Sequence, residues 1–246
     1  MLLPILLALV GAIVGSFLAT LVVRWPEGRS VVAGRSACDG CGRPLRAWEL
    51  VPLVSALGLR GRCAACGRRI DPVHGRVELA CSAMGLGAGL VAPWPEAAAG
   101  AVFGWLLVAL AALDWRHFWL PDRLTGLLAL GGLLSAAVAP PGVADRLIGG
   151  AAGFGSLWVI AWGYRRFRGR EGMGGGDPKL MGAIGLWLGW RLLPGVLVVA
   201  GMVGLGVVLF RRWRGEAVAA DSALPFGALL AVATYPAWLL MISVEP

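Results

Sequence analysis

Charge is what this sequence has least of. Asp, Glu, Lys and Arg make up only 15% of the 246 residues, too few to clothe a soluble domain of that size. Lys179 is the single lysine, and tyrosine is nearly absent, with two residues against twelve tryptophans. The five cysteines do not form a disulfide framework. Four fall into two Cys-x-x-Cys pairs, and the fifth, Cys81, lies in an apolar run where a lone thiol serves packing. The sequence shows no internal repeat, and its apolar runs carry almost no ionisable group. Both absences weigh against a transporter that relays protons between carboxylates near the bilayer midplane.

Apolar residues fill the space that charge leaves. They make up 58% of the chain, and the mean hydropathy is +0.77. This is the composition of an all-α polytopic membrane protein. The tryptophans suit the lipid interface. A formal charge of +8 would suggest nucleic acid in a soluble protein. Here the arginines read as topology signals and contacts to membrane lipids, and no nucleic-acid partner is expected.

Apolar segments at 2–23, 77–91, 97–113, 124–138, 146–163, 180–189, 192–210 and 224–243 predict about eight transmembrane helices. The segment 180–189 is the shortest and could fuse with the next around Trp190 and Arg191. The first segment lacks a basic flank and a small-residue cleavage site, so it reads as a retained helix. The expected organisation is a first helix at 1–23, a small polar domain at 24–76 and a seven-helix bundle at 77–246. The basic residues test this count. Eight spans place 20 of the 22 Lys and Arg on one side, leaving Arg146 and Arg191 opposite. Lys and Arg stay cytoplasmic, so the loops 24–76, 114–123, 164–179 and 211–223 are expected inside the cell.

The polar domain holds Cys38-Asp39-Gly40-Cys41 and Cys63-Ala64-Ala65-Cys66. Four thiolates at this spacing, each pair set among Gly and Arg, suit tetrahedral zinc; four protein ligands close the site and make it structural. Redox dithiols or disulfides are the alternative, and a cytoplasmic location argues against disulfides. His74 is a conceivable substitute ligand.

Two carboxylates stand at helix ends. Asp177 ends a glycine-dense stretch, Gly172-Met173-Gly174-Gly175-Gly176-Asp177-Pro178-Lys179-Leu180, and Asp114 ends the apolar run before Trp115. Glycine at this density lets backbone come close to something. Both carboxylates are predicted at the same membrane depth on different helices. Two adjacent carboxyls share a proton, so one can take a proton from water while the other protonates a peptide carbonyl. That is metal-free aspartic proteolysis. Two unrelated loop carboxylates, each paired with an arginine, is the competing reading. Asp122, after Pro121, rivals Asp114 but looks like a helix N-cap.

These pieces occur in an order that resembles the bacterial type IV prepilin peptidases, also called leader peptidase/N-methyltransferases. The shared residues begin with Gly15-Ser16-Phe17-Leu18, Arg24 and Pro26. Gly34-Arg35-Ser36-x-Cys38-x-x-Cys41, Glu49-Leu50-Val51-Pro52-Leu53-x-Ser55 and Gly61-Arg62-Cys63-x-x-Cys66 follow, then Ile70 and Val77-Glu78. Asp114, Leu120-Pro121-Asp122-x-Leu124-Thr125 and Gly174-x-Gly176-Asp177-x-Lys179-Leu180 complete the set. The resemblance implies an inner-membrane aspartic endopeptidase whose catalytic pair is Asp114 and Asp177. It would cut leaders after glycine on the cytoplasmic side, from prepilins of type IV pili and pseudopilins of type II secretion. It also implies methylation of the new N-terminus with S-adenosylmethionine, tied to the cysteine domain and to Gly61. The residue after that glycine is commonly Lys in the family and is Arg62 here, which keeps the charge but not the geometry. Glu49 and Glu78 are expected to help handle the basic leader, with Gly174, Gly176 and Lys179 lining the substrate path. A non-catalytic scaffold of pilus assembly and a carboxylate-relay transporter are the alternative functions.

Overall fold

The structure is a computed structural model, and it describes residues 2–31, 35–38, 40–170, 172–216 and 223–244. Gly34 and Asp39 of the motifs above lie outside them. The described residues form nine α-helices and no extended strand: α1 (Leu2–Arg24), α2 (Val54–Gly58), α3 (Val73–Val91), α4 (Glu96–His117), α5 (Asp122–Leu134), α6 (Val143–Arg168), α7 (Gly176–Leu188), α8 (Leu193–Trp213) and α9 (Phe226–Val244). Each of the eight apolar segments is a helix. Five are long and apolar enough to cross a membrane: Leu2–Glu27, Glu96–His117, Val143–Arg168, Leu193–Trp213 and Phe226–Val244. The protein is therefore an all-helical integral membrane protein.

The chain divides into two compact units, Met1–Ala112 and Leu113–Pro246. In the first, α1 runs along α3. Small residues set the spacing, because a side chain at Gly85 would strike the Leu7 carbonyl and one at Gly15 would come within 2.7 Å of the Glu78 Cα. Such rows let helices approach in lipid, where no hydrophobic effect drives them together. Trp105 of α4 donates its indole N–H to the Cys81 carbonyl at 2.9 Å. The cysteine module, residues 35–72, folds without a sizeable core of its own.

In the second unit α7 is the central helix. It contacts α5, α6 and α9, and α8 packs on α9. Ten of its 13 residues are buried. Thirteen residues rise only about 20 Å, short of the roughly 30 Å hydrocarbon layer. The helix stops at Gly189, whose φ is +70°, and α8 starts afresh at Leu193. The segments 180–189 and 192–210 are thus separate helices. Gly149 of α6 and Gly185 of α7 meet backbone to backbone.

Arg146 explains how the short helices end. It is 1% exposed and donates to the carbonyls of Ala139, Pro140, Pro141 and Leu186 at 2.7–3.0 Å and to the Ser135 hydroxyl. The last carbonyls of a helix have no partner within it. One buried guanidinium, with five donors, supplies those partners for α7 and for the turn after α5. Arg146 is therefore an internal capping group rather than a surface charge.

Candidate functional site

The cysteine module is two copies of one turn. Cys38 N–H bonds to Arg43 O and Gly42 N–H to Cys38 O; Cys63 N–H bonds to Arg68 O and Gly67 N–H to Cys63 O. Gly42 and Gly67 have φ of +68° and +69°, the left-handed conformation that a knuckle of this tightness requires. The turns bring the four Sγ atoms within 4.8 Å of one another, with Cys38 and Cys66 3.8 Å apart. A tetrahedron with metal–sulfur bonds of about 2.3 Å has edges of roughly 3.8 Å. The cluster can therefore hold a metal ion, and among the described residues His74 is not one of its members. Backbone N–H groups of Cys66 and Ala65 bring the Cys63 thiol down to about 6, which favours the thiolate a metal needs.

Glu49 braces this module. Arg43 donates to its Oε1 at 2.6 Å and the Arg46 N–H to its Oε2 at 2.7 Å. The Arg43 hydrogen bond holds the Glu49 carboxyl below its ordinary value. Glu78, at the start of α3, accepts the Leu53 N–H through Oε2 at 2.9 Å. Gly61 has φ of +66° and accepts from Ile70 N–H at 2.8 Å. Glu49, Glu78 and Gly61 all belong to the first unit.

The two aspartates meet inside the second unit. Asp114 is on the last turn of α4 and Asp177 on the first turn of α7. Both are buried, at 5% exposure each. The Ala228 N–H, at the start of α9, donates to Asp114 Oδ2 at 2.8 Å. Gly227 stands between the carboxyls. A Cβ built there would lie 3.1 Å from Asp114 Oδ2 and 3.2 Å from Asp177 Oδ1. Those oxygens are therefore no more than 6.3 Å apart, the sum of the two distances. Leu120 borders the same space, because a Cβ at Gly176 would lie 2.8 Å from its Cβ and one at Gly227 2.8 Å from its Cδ1. The glycine loop closes the other side. Asp177 N–H bonds to Gly174 O at 3.2 Å, and a Cβ at Gly174 would come within 3.3 Å of Asp177 Oδ2.

Neither carboxylate has an ion-pair partner among the described residues, so the arginine-paired reading has no support there. The helix ends act on them differently. Asp177 sits at the positive end of α7, and Asp114 takes an N–H from the positive end of α9. Asp122 is the first residue of α5, with Pro121 in the N-cap position and no side-chain cap. It pairs with Lys179 Nζ at 2.7 Å, which ties the start of α5 to the start of α7. The sequence reading missed Gly227. The available signal was its place as the only glycine of the last apolar helix.

Residues 9–91 match the bacterial peptidase A24 N-terminal domain, and residues 101–209 match the type IV leader peptidase family. Named relatives are similar over most of their length. A prepilin leader peptidase/N-methyltransferase of Burkholderia pseudomallei (strain K96243) is 41% identical over 84% of this chain and 67% of that protein. The protein of that name from Aeromonas hydrophila is 37% identical, covering 85% and 73%. One from Pseudomonas aeruginosa is 35% identical, covering 94% and 88%. No solved structure matches significantly. With both halves matched in order and relatives at these identities, the chain belongs to the type IV leader peptidase family.

Proposed function

We propose that the protein is a membrane aspartic endopeptidase that removes the leader of type IV prepilins and pseudopilins and then methylates the exposed N-terminal amine. The observation that carries the protease reading is the burial of Asp114 and Asp177 on either side of Gly227. Two carboxyls this close, with no ion-pair partner among the described residues, cannot both ionise cheaply and hold one proton between them. The ionised member takes a proton from water as the oxygen attacks the scissile carbonyl carbon. The protonated member gives its proton to the carbonyl oxygen. Collapse of the tetrahedral carbon breaks the C–N bond, the leaving nitrogen is protonated, and the pair returns to one shared proton. The glycines at 174–176 leave room for extended substrate backbone. Lys179, tied to Asp122, steadies the entrance of α7.

Eight membrane helices, including the short α5 and α7, accommodate this arrangement. The concentration of Arg and Lys on the loops around the site supports a cytoplasmic cysteine domain and catalytic end. Burial of Arg146 strengthens that distribution, because it leaves Arg191 as the exposed basic residue opposite. Cys38, Cys41, Cys63 and Cys66 would hold structural zinc, which staples a module too small to be stable on its own core. For the second activity, S-adenosylmethionine would supply an electrophilic methyl group for the neutral N-terminal amine. The names of the relatives and the presence of the cysteine module support this half.

The test is incubation of the purified protein with a pilin precursor in detergent, with the product read by mass. Asp114→Asn and Asp177→Asn should each stop cleavage while metal content and thermal stability stay at wild-type values. Cleavage surviving both substitutions at the wild-type rate would refute the assignment.

A further inference from the structure

Leu120 borders the carboxyl pair, yet the proton transfers proposed above give it no part. A Cβ built at Gly227 marks a point 3.1 Å from Asp114 Oδ2, 3.2 Å from Asp177 Oδ1 and 2.8 Å from Leu120 Cδ1. The same side chain fills the space facing Gly176, where a Cβ would lie 2.8 Å from Leu120 Cβ and 3.2 Å from its Cδ1. Leu120 is therefore wedged between the starts of α7 and α9, the helices that present Asp177 and the Ala228 N–H. The positions facing it are glycines, and a β-carbon at either would meet it closer than ordinary contact.

The loop from α4 to α5 holds this wedge in place. Phe118 N–H bonds to Asp114 O at 2.9 Å, and Phe118 has φ of +51°, a left-handed conformation uncommon outside glycine. That residue turns the chain out of α4. Leu120 then precedes Pro121, which restricts it to extended backbone. Asp122 is tied to Lys179 Nζ at 2.7 Å, two residues beyond Asp177. The backbone and Cβ of Leu120 are thus held from both sides, and only the tip of the side chain is free to rotate.

A substrate must bring its scissile carbonyl carbon to the water held between the carboxyls. A β-carbon on the same residue lies only about 2.5 Å from that carbon, given bonds of about 1.5 Å and an angle near 111°. It enters the space that Leu120 borders. The tip of Leu120 can swing away from one methyl group, but its Cβ cannot, so the obstacle grows with the size of the substrate side chain. We propose that Leu120 sets the specificity of the cut by restricting the residue that supplies the scissile carbonyl to glycine. The proposal rests on the protease half of the reading above and adds the side chain that enforces the choice. Asp122 and Lys179 are positioning residues that act through Leu120.

The test uses two pilin precursors that differ only in that residue, glycine in one and alanine in the other. Each is incubated with the full-length protein in detergent, and kcat/KM is read from product mass. One carbon in an apolar pocket is worth roughly 10–200-fold, so the wild type should favour the glycine precursor by about tenfold or more. Leu120→Ala should lower that ratio about tenfold by raising cleavage of the alanine precursor. Leu120→Met, which conserves volume, should keep the wild-type ratio. Each ratio is taken within one protein, so a general loss of activity leaves it unchanged. Where Leu120→Ala fails to fold, Leu120→Val decides, because it removes the Cδ1 that meets Gly227 and keeps the Cβ that faces Gly176. A wild-type ratio in the folded variant overturns the assignment of Leu120 and leaves the protease reading standing. An equal rise on both precursors also overturns it, and would make Leu120 a plug over the site rather than a selector. A wild type that cleaves neither precursor overturns the protease reading as well.

Discussion

Replacing Gly227 with alanine tests the aspartate pair without touching either carboxylate. The added methyl carbon would sit 3.1 Å from Asp114 Oδ2, 3.2 Å from Asp177 Oδ1 and 2.8 Å from Leu120 Cδ1. Ordinary contact begins near 3.4 Å, so each carboxyl must retreat by a few tenths of an ångström. Leu120 yields readily, since only the tip of its side chain is involved. The methyl also fills the space in which the attacking water must lie. Misplacement of reacting groups by about 1 Å costs roughly 100-fold, and a blocked water adds to that. The expected loss is about 100-fold or more in kcat, which is about 2.7 kcal/mol of barrier at 1.36 kcal/mol per tenfold. Stability should move little. Overpacking costs roughly 1–3 kcal/mol, and alanine in place of a helical glycine returns about 1 kcal/mol. The assay is initial cleavage rate on a pilin precursor, with thermal unfolding and metal content as controls. A folded Gly227→Ala variant cleaving within threefold of wild type would refute the placement of the reaction between these carboxyls.

Asparagine at 114 or 177 should give a stable, inactive protein, measured by product mass. Removal of metal with a chelator should lower the unfolding temperature of the cysteine module and expose four titratable thiols. Cleavage should decline only as the module unfolds; immediate inhibition, reversed on adding zinc, would instead place the metal in the reaction. Arg146→Met should destabilise the second unit by about 3 kcal/mol or more, because it strands several buried carbonyls at about 1–3 kcal/mol each. Arg146→Lys should recover part of that loss, and unfolding in denaturant with cleavage as a second readout checks both.

Much of this protein is legible residue by residue. An apolar run long enough to span lipid declares itself without reference to the rest of the chain, because transfer free energies add along it. All eight runs are helices, although two of them, at 124–138 and 180–189, are too short to meet the length of a span unaided. The thiol pairs are legible for a similar reason. A two-residue gap and a following glycine fix a local turn, and the turn aims both sulfurs inward. The two aspartates could be nominated from their places at helix ends, but not joined.

What the sequence alone determined is the membrane class, the helix positions, the cysteine cluster and the two candidate carboxylates, all properties of short windows. Packing decided the rest. Gly227 lies 50 residues beyond Asp177, and Ala228 lies 114 beyond the aspartate it serves. Arg146, conspicuous by sequence as a stray charge, is a buried cap because α5 and α7 end, and α6 begins, around it. Leu120 borders the carboxyls because Gly176 and Gly227 leave room for it. None of these contacts follows from a local pattern, since which helix faces lie together depends on complementary surfaces far apart in the chain.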